Sequence, residues 1–318
     1  MAVSEDGISV HRRRSPSKRD RLAYVIKVTS LVLVGLGVPR YSSEFSNRLY
    51  DVHIKIGVLI MRQYLDASFR EICSMLSSMK VWKGKVPDHS TFVKFSKRID
   101  AGLLDRTLWA MAHMLCGNDM VIAVDSTGFS CSNASRHFVK RLKETGSKIG
   151  YTNDAKKGFS KASLAVDTST KMILACDCID SNNADVKRMT FLIDDLADGG
   201  FSVAFVVADK GYDAEYVHVE IKERMNATAF IPLRNMSKPA KLGRRETRTS
   251  GFNRGRMKFF FDKEKYNMRS IVETVNSMVK RKMSDTVYGR TEHTRHKEVL
   301  LRCIAHNARR LMDAGHLI

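Results

Sequence analysis

The sequence predicts an α/β protein in which a helical N-terminal region precedes a sheet flanked by helices. Helical periodicity extends from Ser42 to about Leu115, and at Asp119 it gives way to continuous apolar runs typical of buried strands. From Met120 onward the predicted order is strand, strand, strand, helix, strand, helix, strand, helix. This alternation favours an α/β domain over an all-helical or all-β one.

The composition is that of a globular and strongly basic chain. Of its 318 residues, 43% are hydrophobic and 28% charged, which excludes global disorder. A net charge of +20 favours a polyanionic partner such as nucleic acid, although ribosomal and membrane-surface proteins share this property. The six cysteines form no CxxC pair, which predicts reduced core thiols in a cytoplasmic protein.

The N-terminal tail, residues 1–22, is basic and poor in core-forming side chains. It is predicted to stay disordered until it meets a phosphate backbone, or alternatively only to increase solubility. The apolar run Ser30–Val38 that follows is too short to span a bilayer.

Residues 23–118 are predicted to form a helical DNA-binding region. Ser68 and Glu71 have the spacing of a capping box at the start of one of its helices. One apolar stripe before that helix is formed by Phe45, Leu49, Val52, Ile56, Leu59 and Ile60.

A short basic helix follows the break at residues 87–91. Lys94, Lys97 and Arg98 lie close to one face of this helix, which extends to Ile99. Two short helices around a turn, the second one basic, are compatible with a helix-turn-helix DNA reader. An ordinary helical bundle with a solvated basic face explains the same pattern equally well.

Two fully apolar strands are each followed by an aspartate. Met120–Val124 precedes Asp125, and Phe201–Ala208 precedes Asp209. Because the crevice at strand ends is where α/β sheets bind ligands, these carboxylates are candidates for a functional site.

The elements between and after these strands are predicted from their turns and caps. A tight turn at residues 168–171 joins strands 162–167 and 172–179 into a hairpin, and a helix covers residues 186–198. Residues 228–233 predict an edge strand, since Pro232 cannot donate to a central ladder. A basic loop at residues 234–258 precedes the last helices.

A late helix carries a polar stripe on its surface. Residues 266–280 are predicted to form one helix with Tyr266, Arg269, Glu273 and Lys280 on one side and apolar residues opposite. Taken alone, this pattern is equally typical of a surface helix with an Arg269–Glu273 ion pair. The last element, at residues 284–318, is a basic amphipathic helix predicted from about Glu292 to Asp313.

Three carboxylates therefore form the candidate site: Asp125, Asp209 and Glu273. Two aspartates on neighbouring strands and a helical glutamate can hold two divalent cations about 3.5–4 Å apart, as in-line phosphoryl displacement requires. Mg²⁺ suits such a site because it prefers carboxylate oxygens.

The remaining polar residues near these motifs are given structural roles. Gly211 and Tyr212 are assigned to a turn at least as readily as to catalysis. Asp185 and Asp213 are predicted to cap helices, although Asp185 can also supply a further carboxylate. Asp167, Asp177 and Asp180 are predicted at strand edges or turns, and His293 and His296 on a solvated helix face.

The motifs together resemble those of insertion-sequence transposases of the IS4/IS5 type. The matching segments are Ala-Val-Asp125-Ser-Thr, Ala-Asp209-Lys-Gly-Tyr and Tyr266-x2-Arg269-x3-Glu273-x6-Lys280. Residues 87–91 are similar to a segment of the IS5 group. The interval between Asp209 and Glu273 is too short for the large β insertion of some IS4 members, and the basic loop 234–258 stands there instead.

The resemblance implies a fold, a site and a reaction. Residues 119–283 would be an RNase H-like catalytic domain with a mixed five-stranded sheet. Asp125, Asp209 and Glu273 would bind two Mg²⁺ ions, for which Mn²⁺ can substitute. Tyr266, Arg269 and Lys280 would contact DNA near the cleaved end. Water would attack a phosphodiester at the element's end, and the freed 3′-hydroxyl would then attack target DNA.

The implied partners are double-stranded DNA, comprising terminal inverted repeats and target DNA, and a second copy of the chain, because synapsis joins two ends. A nucleoid-associated location in the cytoplasm would follow. Two alternatives remain: a domesticated DNA-binding regulator without activity, and another RNase H-like nuclease such as a junction resolvase. The latter are usually much shorter and lack the Tyr-Arg-Glu-Lys spacing.

Overall fold

The computed structural model describes most of the chain. The described residues are 18–41, 43–45, 48–79, 85–131, 159–180, 185–234 and 251–316. The basic loop 234–258 is therefore described only at its two ends.

The described residues before the sheet contain five helices, α1 to α5. Their bounds are Lys18–Gly35, Val52–Tyr64, Phe69–Met79, His89–Arg98 and Ala101–His113. The predicted capping box is confirmed, because Ser68 N donates to Glu71 Oε2 at 2.7 Å and Glu71 N donates to Ser68 Oγ at 3.2 Å. Asp88 caps α4 by accepting from Ser90 N at 2.8 Å.

The start of this region differs from the prediction. Helix α1 begins at Lys18, inside the predicted tail, and buries Leu22, while residues 1–17 lie outside the described residues. The predicted apolar stripe begins too early, because Asp51 caps α2 and leaves Phe45 95% exposed and Leu49 67% exposed. In the described part of the chain, no helix is both long and apolar enough to cross a membrane.

Over the described ranges the sheet is mixed and six-stranded, with the order β3-β2-β1-β4-β5 and β6 paired to β1. Strands β1, β4, β5 and β6 run parallel to one another where they pair, whereas β2 and β3 are antiparallel to their neighbours. The strand bounds, from β1 to β6, are Met120–Cys131, Phe159–Asp167, Ile173–Ile179, Val203–Ala208, Thr228–Phe230 and Thr286–Val287.

The sheet confirms the mixed α/β class and corrects two details. The predicted hairpin is β2 and β3, and β5 is an edge strand as predicted. The prediction of five strands was wrong because β6 is only two residues long and offers no periodicity to detect. The first strand was also predicted too short, since β1 continues past Asp125 to Cys131 with alternating exposure.

Helices cover the sheet and return to the N-terminal region. Helices α6 to α11 have the bounds Val186–Asp198, Glu215–Met225, Phe252–Arg256, Lys263–Asn267, Ser270–Met283 and Glu292–Asp313. Helix α10 packs on β1 and β2, and α11 packs on β3, α5, α2 and α1. The predicted single helix over residues 266–280 was wrong: α9 ends at Asn267, and α10 begins at Ser270.

Helix α11 is more buried than an amphipathic surface helix. Arg302 is fully buried and donates to Ser284 O, Thr286 O and Glu298 Oε1, which holds β6 against the helix. His293 is exposed as predicted, but His296 is half-buried and its Nδ1 accepts from Cys178 N at 3.3 Å. The predicted solvated face was therefore wrong for His296, because α11 packs against β3.

Several acidic residues of the sheet region form hydrogen bonds or ion pairs within the fold. Asp167 accepts hydrogen bonds from Thr170 N and Oγ1 in the β2–β3 turn, as a turn residue should. Asp177 pairs with Arg188, and Asp180 pairs with Arg295. The six cysteines are free, and Cys176 and Cys178 are strand residues.

Candidate active site

The candidate site lies beside β1, at the point where the neighbouring strand β4 ends. Strand β4 pairs with β1 up to the partners Val124 and Ala208. On the same edge, β6 pairs with β1 only from Ser130 onward. In the described part of the chain, no strand pairs with this edge of β1 between the two ladders, and α10 packs on β1.

Asp125 and Asp209 follow the last paired residues of two parallel strands. Because Val124 and Ala208 are in register, the two aspartates emerge at the same edge of the sheet. Asp125 is half-buried, and Asp209 accepts a hydrogen bond from Lys210 N at 2.6 Å at the start of a short 3₁₀ turn, Lys210–Tyr212.

Tyr212 fixes this turn against β1. The ring is buried, and its hydroxyl hydrogen-bonds Ser126 Oγ at 2.9 Å, while Ser126 Oγ also hydrogen-bonds Ser163 Oγ at 2.8 Å. Burial raises the pKa of Tyr212, so the phenol stays neutral. Tyr212 thus has the predicted structural role and links the residue after Asp125 to the turn after Asp209.

Arg269 joins Asp125 to Glu273. It lies at the start of α10, where its guanidinium hydrogen-bonds Glu273 Oε1, and its Nη1 is 4.0 Å from Asp125 Oδ1. The predicted Arg269–Glu273 pair is therefore present, but it points toward Asp125 as well as solvent. The Glu273 side chain is 53% exposed.

The pKa of Asp125 reflects all three acidic residues. Burial raises this pKa, and the charges of Glu273 and Asp209 raise it further, whereas a hydrogen bond from Ser126 N and the charge of Arg269 lower it. For Arg269, burial lowers the pKa, but the hydrogen bond and charge of Glu273 outweigh it and raise the pKa overall. The three carboxylates therefore share one electrostatic environment in which Arg269 supplies the counter-charge.

The donor set suits a divalent cation, but the carboxylates are not gathered around a common point. Among the residues that the structure describes, no group of three or more His, Cys, Asp or Glu side chains could hold a metal ion as placed. Glu273 accepts a hydrogen bond from the Arg269 guanidinium, and Asp209 accepts one from Lys210 N in the turn that follows it. Carboxylate oxygens are nevertheless the ligands that Mg²⁺ prefers.

A groove of about 590 Å³ extends from the carboxylates along the open edge of β1. We call it the β1–α10 groove. Its lining residues are Asp125, Ser126, Thr127, Glu273, Asn276, Ser277, Lys280, Arg281, Ser284 and Asp285. Lys280 lies over the Phe129 ring, 5.5 Å from its centroid, and burial lowers its pKa. Asn276 was not among the residues predicted from the sequence to lie at the site, although it is a polar residue on the otherwise apolar side of α10.

Tyr266 lies on α9, outside the helix that carries Glu273 and Lys280. Its ring contacts Phe261 at a centroid distance of 5.2 Å, and its backbone carbonyl accepts a hydrogen bond from Arg269 N at 2.9 Å. Lys265 on the same helix lies 4.1 Å from the centroid of Phe205, which holds α9 against β4. The structure therefore places Tyr266 beside Arg269 but does not align it with Lys280 on one helix.

The basic loop is attached to the turn after Asp209. Asp213 accepts from Arg254 Nε and Nη2, both at 2.6 Å, and from Arg234 N at 2.9 Å. Arg234 Nη2 also donates to Gly211 O at 2.8 Å. Burial would raise the pKa of Asp213, but the hydrogen bonds from these two arginines lower it overall.

Two predicted helix caps were wrong. Asp213 binds the two arginines and does not cap α7, whose N-cap residue is Ala214. Asp185 precedes α6 but makes no capping hydrogen bond in the described part of the chain; its carboxylate pairs with Lys161. In both cases a long-range cation competes successfully with the local helix terminus.

Lys94, Lys97 and Arg98 lie on α4, apart from this groove. All three residues are exposed, and α4 packs on α2 and α3. Lys297 donates to Lys97 O at 2.8 Å and to Ile99 O at 2.7 Å, so a buried lysine of α11 caps the C-terminus of α4.

Residues 117–308 match the family model of the transposase DDE domain. The chain belongs to the transposase DDE domain family. It is a DNA transposase, and hence an enzyme of the nucleotidyl-transferase type. The matched segment begins just before β1 and ends within α11, so it includes the three candidate carboxylates.

Two further comparisons accompany this result. The transposase is similar to the piggyBac transposase in a cryo-EM structure of its synaptic complex with hairpin DNA. That similarity has a TM-score of 0.42 and 9% sequence identity, and covers 94% of this chain and 74% of that one. No curated protein sequence matches the chain.

Proposed function

We propose that this transposase binds the ends of an insertion sequence of the IS4/IS5 type and catalyses metal-dependent phosphodiester cleavage and strand transfer. One observation carries the proposal: Asp125 and Asp209 follow register-paired residues of adjacent parallel strands, and Arg269 connects Asp125 to Glu273. This arrangement supports an RNase H-like catalytic domain over residues 119–283.

Asp125, Asp209 and Glu273 are the proposed ligands of two Mg²⁺ ions, with Mn²⁺ as a substitute. Cations held there would stabilise the charges on the attacking and leaving oxygens of the phosphodiester. Arg269 must release Glu273 for that carboxylate to act as a ligand. Its guanidinium is then free to bind a phosphate oxygen of the DNA end.

The remaining DNA contacts are proposed for two separate surfaces. Tyr266 and Lys280 are proposed to contact the cleaved end, because the Tyr266 carbonyl accepts from Arg269 N and Lys280 lines the groove. Lys94, Lys97 and Arg98 on α4 are exposed cations for duplex binding within the helical region 23–118. The proposed domain organisation also includes a basic N-terminal tail, residues 1–22, and a C-terminal basic helical segment, residues 284–318.

The proposed partners are terminal inverted repeats, target DNA and a second copy of the chain. The net charge of +20 supports a polyanionic partner and nucleoid association in the cytoplasm. Synapsis of two ends supports a homodimer, because each end requires its own set of carboxylates.

The decisive experiment incubates the protein with DNA carrying the inverted repeats that flank its gene, with Mg²⁺, with Mn²⁺ and with EDTA. We expect metal-dependent cleavage by the wild type and its loss in Asp125→Asn, Asp209→Asn and Glu273→Gln. Asp198→Asn, an exposed acid at the end of α6, is the matched control and should cleave normally. Cleavage that survives all three substitutions would refute the assignment of the site. Specific binding by a wild type that never cleaves would favour the regulator instead.

A further inference from the structure

Asn276 is a buried polar residue whose side-chain oxygen makes no hydrogen bond to the described residues. It lies on α10 one turn after Glu273, is 7% exposed and lines the β1–α10 groove. Among the residues that the structure describes, its Oδ1 is buried without a hydrogen-bond partner. Buried polar atoms are nearly always paired, so an unpaired carboxamide oxygen on a side chain that lines a groove points to a ligand.

The position of Asn276 on α10 is otherwise suited to an apolar side chain. Its neighbours on that side of the helix, Val272 and Val279, are completely or almost completely buried. A leucine, which has the same branched arrangement of side-chain heavy atoms, would present no unpaired oxygen. The presence of an amide here is therefore not explained by packing.

The two ends of the groove differ in charge. Asp125 and Glu273 lie at one end, near the start of α10, and Lys280 and Arg281 lie two turns later. Asp285 offsets one of these two cations, since its charge acts on Lys280. From Glu273 to Lys280 the helix rises about 10 Å, so Asn276 lies between the carboxylates and the cations.

We propose that the β1–α10 groove binds the nucleotide next to the reacting phosphodiester, with its phosphate at Lys280 and Arg281 and its base read by the Asn276 carboxamide. This inference rests on the proposed function and adds a residue that sets sequence preference at the cleaved end.

The chemistry of the carboxamide selects the base. An amide presents an acceptor oxygen and a donor nitrogen side by side, and a half-turn exchanges the two. It therefore matches the major-groove edge of adenine, which offers the N6 amino donor next to the N7 acceptor. On the same edge thymine offers only the O4 acceptor, so thymine is disfavoured at this position.

The test compares DNA ends that carry adenine, cytosine, thymine or unsubstituted purine at each of the two nucleotides flanking the cleaved bond. Unsubstituted purine removes only the amino group of adenine. At one of these nucleotides we expect the wild type to prefer adenine over both purine and thymine by about ten-fold in kcat/KM. Asn276→Leu should remove this preference, whereas Thr274→Ala, exposed on the same helix and outside the groove lining, should keep it.

Two additional measurements keep the result interpretable. Asn276→Leu should unfold at a temperature equal to or above that of the wild type, whereas a structural asparagine would make this variant less stable. Binding of the same DNA ends in EDTA to Asp209→Asn, with and without Asn276→Leu, tests base preference without chemistry. A wild type that cleaves and binds all four ends equally would overturn the groove assignment alone. Absence of cleavage with base preference intact in the binding assay would overturn the proposed reaction and leave the groove assignment supported.

Discussion

Asp213 and Arg254 form a bidentate ion pair, with Arg254 Nε and Nη2 each 2.6 Å from a carboxylate oxygen of Asp213. The Asp213 side chain has no exposed surface. Arg234, at the other end of the basic loop, donates its backbone N–H to the same carboxylate. Both described ends of the loop therefore converge on the turn that begins at Asp209.

Removing the charge of Asp213 should destabilise the protein. Asp213→Asn removes the buried negative charge that pairs with the Arg254 guanidinium, and we expect a loss of about 3 kcal/mol in the free energy of unfolding. Urea denaturation measures this loss. Asp198→Asn, at an exposed site, should change the same quantity by less than about 0.5 kcal/mol. Equal effects of the two substitutions would contradict the importance of the ion pair.

Arg269 should compete with divalent cations for the carboxylates. Because its guanidinium contacts Glu273 and lies 4.0 Å from Asp125, Arg269→Gln removes a positive charge from the site. We expect the affinity for Mn²⁺ without DNA to rise about ten-fold at low salt, measured by the electron paramagnetic resonance of free Mn²⁺.

Arg269→Gln should also slow DNA cleavage by about ten- to a hundred-fold, because the proposed contact of Arg269 with a DNA phosphate is lost. Arg281→Gln is the control for metal binding: this residue is exposed on the same helix, and its Nε donates only weakly to Ser277 O at 3.4 Å. An Mn²⁺ affinity unchanged in Arg269→Gln would show that the guanidinium does not occupy the metal position.

Acid should destabilise the protein through buried histidine. Burial lowers the pKa of His306 to about 4, although its ring hydrogen-bonds Lys171 O at 2.9 Å. Below about pH 6.5 the unfolded chain binds a proton that the folded chain does not, so stability is lost as the pH falls toward 4. The contribution of this one residue is about 3 kcal/mol.

Thermal unfolding between pH 7 and pH 4 tests this expectation. His306→Gln retains an N–H donor for Lys171 O but does not titrate, so its unfolding temperature should fall less steeply than that of the wild type. His293→Gln, at an exposed position of the same helix, is the control and should leave the slope unchanged. Parallel curves for all three proteins would exclude His306 as a source of acid sensitivity.

The apolar side of α10 should be essential for the fold that positions Glu273. Val275 is completely buried, so Val275→Asp places an unpaired charge in the core and should cost about 4 kcal/mol. Thr274 is its exposed neighbour, and Thr274→Asp should retain the circular dichroism and unfolding temperature of the wild type. A folded and active Val275→Asp variant would mean that the two faces of α10 are wrongly assigned.

The basic residues of α4 should account for part of the salt dependence of DNA binding. Simultaneous Lys94→Gln, Lys97→Gln and Arg98→Gln substitutions should reduce the slope of log K against log salt by about two to three. Lys187→Gln with Lys222→Gln, exposed lysines of α6 and α7, is the control. An unchanged slope in the triple variant would favour the alternative of a helical bundle with a solvated basic face.

Much of the local structure could be predicted from the sequence because it depends on neighbouring residues. Continuous apolar runs predicted β1 and β4, and the capping box at Ser68 and Glu71 predicted the start of α3. The continuation of β1 beyond Asp125 could not be predicted in this way. Its residues alternate in exposure, and they are strand because β2 and β6 supply their ladder partners.

The break before α10 has a similar origin. The periodicity of residues 266–280 is continuous, yet α9 is held separately against β4 by Lys265 over Phe205. Asp213 and Asp185 are local candidates for helix caps, but each binds a cation from a distant segment, Arg254 and Lys161. A charged partner brought near by the fold binds more strongly than a helix terminus.

The sequence by itself determined which residues could carry the chemistry: two aspartates after buried strands, a glutamate opposite an apolar helix face, and a strongly basic chain. Only the tertiary structure decided how these groups are used. It aligned Asp125 with Asp209 through the β1–β4 register, placed Arg269 against Asp125 and Glu273, and left the Asn276 Oδ1 without a hydrogen-bond partner within the described residues. The physical reason is that periodicity records which side of an element faces the core, whereas ion pairs and grooves depend on segments that are distant in sequence and meet only in the folded chain.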